Sequence, residues 1–64
     1  MNGNYIEQEI MTREEVMEKL KIGRSIFYRL FREGKLKGYM DGNRIKVPAS
    51  AVEEYIQNKM NMRA

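Results

Sequence analysis

The side chains able to do chemistry in this 64-residue chain are mostly cationic and hydroxylic, and they cluster. Arg24, Ser25, Tyr28, Arg29 and Arg32 fall at helical spacing, and Lys35, Lys37, Asn43, Arg44 and Lys46 follow closely. A guanidinium forks onto guanine edges or phosphate oxygens, and an ammonium meets phosphate as a point charge. Ser and Tyr hydroxyls and the Asn amide hydrogen-bond to either. That is the chemistry of recognising a polyanion rather than of breaking a bond. The chain has no His and no Cys, which removes disulfides, thiolate or imidazole metal sites, cysteine nucleophiles and Ser–His pairs. No Gly-rich phosphate loop and no metal ligand set is visible. The expectation is a binding protein with no catalytic residue, no metal and no cofactor.

Charge distribution sharpens this reading. Residues 21–48 hold eight Lys and Arg against two acids, net +6, while residues 1–20 hold two against five, net −3. Residues 49–64 balance two against two. A basic middle between neutral or acidic ends is the footprint of a polyanion partner. The alternative is a solvated surface with no partner. A hydrophobic share of 42% with 33% charged residues is a globular balance. No apolar run approaches the roughly 18 residues of a membrane span, and no signal-peptide pattern appears. We expect one soluble, cytoplasmic domain with a thin core.

The elements that must position these side chains can be read from caps and periodicity. Thr12-Arg13-Glu14-Glu15 matches a capping box and opens a helix over 13–20, with Val16 and Leu20 on one face. Ile10 and Met11 can extend just before it. Lys21-Ile22-Gly23 breaks the pattern, with Gly23 fit for a turn or an N-cap. A second helix is predicted over 24–33, with Phe27, Leu30 and Phe31 as its apolar stripe and Gly34 as its C-cap. Arg24, Ser25, Tyr28, Arg29 and Arg32 lie away from that stripe. Two short helices across a tight turn form a helix-turn-helix. Asp41-Gly42 between two short runs predicts a β-hairpin, in which Ile45 and Val47 point inward and Arg44 and Lys46 outward until Pro48 ends the strand. Ser50 with Glu53 reads as a second capping box for a helix over 51–59.

The expected core is Ile10, Val16, Leu20, Ile22, Phe27, Leu30, Phe31, Leu36, Ile45, Val47, Val52, Tyr55 and Ile56. Residues 1–9 read as a flexible lead-in, 10–58 as the domain and 59–64 as a frayed tail. Two residues keep two readings each. Ile26 either widens the core edge or meets a thymine methyl or a neighbouring protomer. Asn43 serves either the turn, through a positive φ, or DNA. Arg44 is read toward DNA. Tyr39 and Met40 are expected to pack.

If the basic middle meets DNA, the second helix has the form of a recognition helix. Its N-terminal Arg24 and Ser25, with Tyr28 and Arg29 a turn on, would face base edges, and Arg32 would meet backbone. Lys35 and Lys37 would add phosphate contacts. The hairpin, with Asn43, Arg44 and Lys46, would reach adjacent phosphates or the minor groove.

These residues together resemble a known pattern. From Ile10 to Ile56, about three quarters of the chain, the sequence is similar to the small winged-helix domains of the excisionase family, related to the DNA-binding domain of MerR-type regulators. The resemblance is carried by Thr12-Arg13-Glu14-Glu15, then Gly23-Arg24-Ser25-Ile26-Phe27-Tyr28-Arg29-Leu30, then Gly34-Lys35-Leu36. Gly42-Asn43-Arg44-Ile45-Lys46-Val47-Pro48 and Glu53-Glu54-Tyr55 complete it. The hairpin wording looks most like excisionases of conjugative transposons. The chain departs from the pattern at Ile26, where Thr is common, and at Lys37, where Pro is common. Met40 and Asn43 stand where the wing often has further Arg.

The resemblance implies an α+β winged helix-turn-helix: helix-turn-helix, two-stranded hairpin wing and C-terminal helix. It implies a protein that binds and bends double-stranded DNA as a recombination directionality factor of a mobile genetic element, bacterial or phage-encoded and associated with the nucleoid. An integrase or recombinase would be its partner, with cooperative self-association on DNA and no membrane. Two alternatives stand beside this: a small stand-alone transcription regulator, and a protein-interaction module that docks a recombinase through its basic face.

Overall fold

The computed structural model describes residues 9–61. The expectations for residues 1–8 and 62–64 lie outside them. The chain runs β1 (Ile10–Thr12), α1 (Arg13–Leu20), α2 (Arg24–Arg32), β2 (Tyr39–Asp41), β3 (Arg44–Pro48) and α3 (Ala49–Asn61). The fold is a winged helix-turn-helix, with α1 and α3 packed on the central strand of a three-stranded antiparallel sheet of order β1-β3-β2 and α2 packed against α1.

Each helix start has a chemical cause. Thr12 caps α1: its Oγ1 accepts from the Glu15 N–H (3.1 Å), and Glu15 Oε1 accepts from the Thr12 N–H (2.9 Å). This is the reciprocal box expected, and such a cap contributes about 1 kcal/mol. Gly23 precedes α2 in extended backbone (φ −87°, ψ 179°), and its carbonyl accepts from the Phe27 N–H at 3.0 Å. Helix α3 begins at Ala49, earlier than the Ser50 box predicts, so Ser50 lies within the first turn. Pro48 directly precedes it, where the missing N–H costs nothing. The Ala49 N–H donates to the Glu9 carbonyl (2.8 Å), satisfying one of the free donors at that helix start.

The helix ends differ more from expectation. Helix α1 stops at Lys21, which takes a left-handed conformation (φ 59°, ψ 46°) although it is not glycine. Its N–H donates to the Glu18 carbonyl (3.3 Å) and the Ile22 N–H to the Met17 carbonyl (3.0 Å), closing the last turn. Helix α2 ends at Arg32, and Gly34 just beyond it takes φ 79°.

The hairpin forms as Asp41-Gly42 predicts, with Asp41 opposite Arg44 and Gly42 at φ 66°. Asn43 has no positive φ: among the described residues Lys21 is the single non-glycine that does. The turn therefore demands nothing of Asn43 that only Asn or Gly supplies. Strand β3 is central, with Met11 opposite Val47 on one side and Met40 opposite Ile45 on the other.

The buried core is Val16, Phe27, Leu30, Leu36, Ile45, Val47, Ala51 and Val52. Leu20, Ile22, Phe31, Tyr55 and Ile56 pack against it part-buried, joined by Met11, Met17, Ile26 and Tyr28. Ile10 does not belong to the core: it is 41% exposed, because β1 is an edge strand and Ile10 is its outermost residue. Tyr39 and Met40, expected to pack, are exposed at 47% and 56% on the other edge strand. Among the described residues no helix is long and apolar enough to cross a membrane.

Candidate nucleic-acid interface

Helix α2 buries Phe27 and Leu30 and turns its opposite side to solvent. By the 3.6-residue repeat, Arg24, Tyr28 and Arg32 form one ridge, and Ser25 and Arg29 the ridge beside it. Arg24, Ser25, Arg29 and Arg32 are exposed. No acid occupies the first turn of α2, and Gly23 offers no side chain to cap it. Its N-terminus is therefore open to an anion.

Tyr28 departs from the expectation that it lies clear of the apolar stripe. Its ring stands edge-on to Phe27, with centroids 5.5 Å apart at 81°. Such aromatic edges prefer this geometry, and it fixes the ring direction. The Tyr28 hydroxyl accepts from Arg13 Nη1 at 2.6 Å, and the Arg13 guanidinium lies 5.8 Å from the ring centroid. Arg13 also donates through Nε to Glu14 Oε2 at 3.1 Å. This hydrogen bond from Arg13 holds the Glu14 carboxyl below its usual range, with Arg44 adding a weaker attraction. The same Glu14 bond, then the Tyr28 bond, holds the Arg13 guanidinium more firmly protonated.

Arg13, Tyr28 and the wing meet. A hollow of about 400 Å³ is lined by Thr12, Arg13 and Glu14 from the start of α1, Tyr28 from α2, and Asn43, Arg44, Ile45 and Lys46 from the wing. Strand pairing causes this convergence: Thr12 lies opposite Lys46 across the β1–β3 ladder. The start of α1 is thereby fixed beside the wing. Arg44 is exposed, whereas Lys46 is half-buried and donates to Asp41 Oδ2 at 3.3 Å.

The remaining sequence-derived candidates lie elsewhere. Arg29, Lys35 and Lys37 line a second groove, between α2 and α3, together with Ile26. Lys35 pairs with Glu33 and Lys37 with Glu54, each at 3.3 Å. These exposed pairs are worth little in water, so the lysines remain available to a stronger anion. Arg24, Ser25 and Arg32 line neither hollow. Ile26 packs part-buried at the core edge, as the first of its two readings holds. Arg13 and Glu14 were missed as site residues because their motif read as a helix cap. One clue was available: a cation in the first turn of a helix opposes the dipole and invites another explanation.

Comparison with known proteins agrees with this architecture. The family model described as "Helix-turn-helix domain" matches residues 10–60. An excisionase of Streptomyces ambofaciens is 43% identical over 53 residues, covering 81% of this chain and 84% of that protein. No solved structure matches at a significant level. A helix-turn-helix with a basic, outward second helix, a cationic wing and this degree of identity places the chain in the excisionase family of small helix-turn-helix DNA-binding proteins.

Proposed function

We propose that this protein is a sequence-specific, DNA-bending recombination directionality factor, with α2 in the major groove and the wing on the adjacent backbone or minor groove. The observation that carries this reading is the convergence of Arg13, Tyr28, Arg44 and Lys46, drawn from two helices and the wing, beside the exposed side of α2. Helix α2 is nine residues, about 13 Å long at 1.5 Å per residue. With its side chains it is about 10–12 Å across, which suits a major groove about 12 Å wide. Arg24 and Arg29 fork onto base edges, and Ser25 reaches base or phosphate. Tyr28 keeps its O–H free to donate to a phosphate while its oxygen accepts from Arg13. Arg32, Lys35 and Lys37 neutralise backbone charge on one side and Arg44 and Lys46 on the other, where the Asn43 amide donates a hydrogen bond to phosphate. Three to five neutralised phosphates give a log–log salt slope of roughly −3 to −5. Chemistry stays with a partner integrase or recombinase, and copies of the protein assemble cooperatively along nucleoid DNA.

Two substitutions test the assignment of α2. Arg29→Ala is expected to weaken a specific site by about 1–3 kcal/mol and random duplex far less, because base readout is lost. Lys35→Ala is expected to weaken both about equally. The site itself comes from selection of random duplexes near 0.15 M salt, and gel mobility of that site placed along a fragment reads the bend. Identical behaviour of the two variants on both DNAs would remove α2 from the major groove.

A further inference from the structure

The side of α2 that looks toward α3 opens on a groove of about 880 Å³. Its floor is apolar: Ile26, Tyr55 and Ile56 lie part-buried against the core, and Met60 is 60% exposed at the end of α3. Its rim is cationic, with Arg29, Lys35, Lys37 and Lys59 all exposed, and among the described residues no acid lines it, Glu33 and Glu54 pairing with Lys35 and Lys37 at the surface. A phosphate backbone gains nothing from isoleucine and methionine, so DNA binding does not account for the floor. Solvent gains nothing from it either, and an apolar floor beneath a cationic rim is the form of a groove that receives an amphipathic helix.

We propose that this groove receives an acidic amphipathic helix from a partner protein. Aliphatic side chains at i, i+3, i+4 and i+7 of that helix would seat on the floor, and flanking Asp or Glu would meet the rim. The rim sets the sign of the partner's charge and the floor sets its periodicity. A second copy of this chain is the poorer occupant. Its α1 is acidic through Glu14, Glu15 and Glu18, but Val16, Met17 and Leu20 on that helix are already committed to its own core. The apolar side of its α3 is the groove floor itself. The proposal does not need the DNA reading, but Arg29, Lys35 and Lys37 serve both, so DNA and this helix would compete for the rim.

The test uses the full chain without DNA and three labelled synthetic peptides of about 16 residues, read by fluorescence anisotropy. The first carries a Leu/Ile stripe at helical spacing with Glu elsewhere. The second has the same composition with the stripe scrambled. The third keeps the stripe and replaces Glu with Lys. The first is expected to bind at least about tenfold more tightly than either other. Met60→Glu and Lys59→Glu, both at exposed positions outside the proposed DNA contacts, are each expected to weaken it about fivefold or more with unchanged circular dichroism. Equal affinity for the striped and scrambled acidic peptides would reduce the effect to charge and overturn the proposal. So would binding that both variants leave intact, or no binding up to about 1 mM. Sedimentation showing a dimer that Met60→Glu dissolves would give the groove to a second copy and overturn it equally.

Discussion

Among the described residues lining the wing-side hollow, Glu14 is the single acid, set among Arg13, Arg44 and Lys46. A carboxylate there holds Arg13 in place through hydrogen bonds, yet it repels an approaching phosphate. Glu14→Gln is therefore expected to raise affinity for any duplex and to steepen the log–log salt slope by about 1, because Arg13 becomes available to displace a counterion. Titrations at several salt concentrations check this, and an unchanged slope would mean that Arg13 does not reach the backbone. The cations of α2 and the wing were legible from their types and spacing alone. The pairing of Arg13 with Tyr28 was not, because it joins residues fifteen positions apart that only the helix-turn-helix brings together. Asn43 illustrates the converse: its sequence context invoked a positive φ, which the turn assigns to Gly42 instead.

Elements announce where they start more clearly than where they stop. The Thr12–Glu15 box and the Asp41-Gly42 turn name their own hydrogen bonds, so their positions follow from residue type. Lys21 does not: it is forced left-handed by the tight turn into α2, and nothing in a lysine marks that conformation. Lys21→Gly is expected to stabilise the fold by about 1 kcal/mol, the cost of a side chain in that region, as read by denaturant melts. Gly38 is the opposite case. A Cβ there would stand 2.6 Å from the Lys46 carbonyl oxygen and 3.0 Å from Val47 Cγ2. Gly38→Ala is expected to cost about 1–3 kcal/mol by pushing the loop off the central strand, with a matching fall in melting temperature. The three-residue strand β1 is too short to carry a period, and its partner was not foreseen. The two residues that α3 gains at its C-terminal end went unseen for a related reason. Polar residues near Asn58 look like a tail until the helix is seen continuing through Asn61.

At the scale of the whole molecule, most of the core was legible because apolar residues recur at periods set by the elements. The exposure of Ile10 was not, since it depends on which strand lies at the edge. The apolar groove was equally hidden: Ile26, Tyr55 and Met60 come together only once α2 and α3 are placed. Strand β3 holds the assembly, pairing with both other strands and packing against α1 and α3. Removing residues 1–11 would delete most of β1 and the Glu9 carbonyl that caps α3. This truncation is expected to cost about 2–3 kcal/mol from the lost hydrogen bonds, a large share of a small domain's stability, visible as a lowered and broadened thermal transition. An unchanged transition would show that β1 is dispensable. The pairing of Met11 with Val47 also orders events in time. At roughly 5–20 residues per second, a ribosome takes a few seconds to pass from one to the other. Helices relax in about a microsecond, so α1 and α2 can flicker into shape long before their sheet exists. The nascent chain thus carries a helix bearing the basic residues before the strand that packs on α1 exists. The wing and α3 arrive with the last third of the polypeptide, so a product that ends before Arg44 lacks the cationic wing.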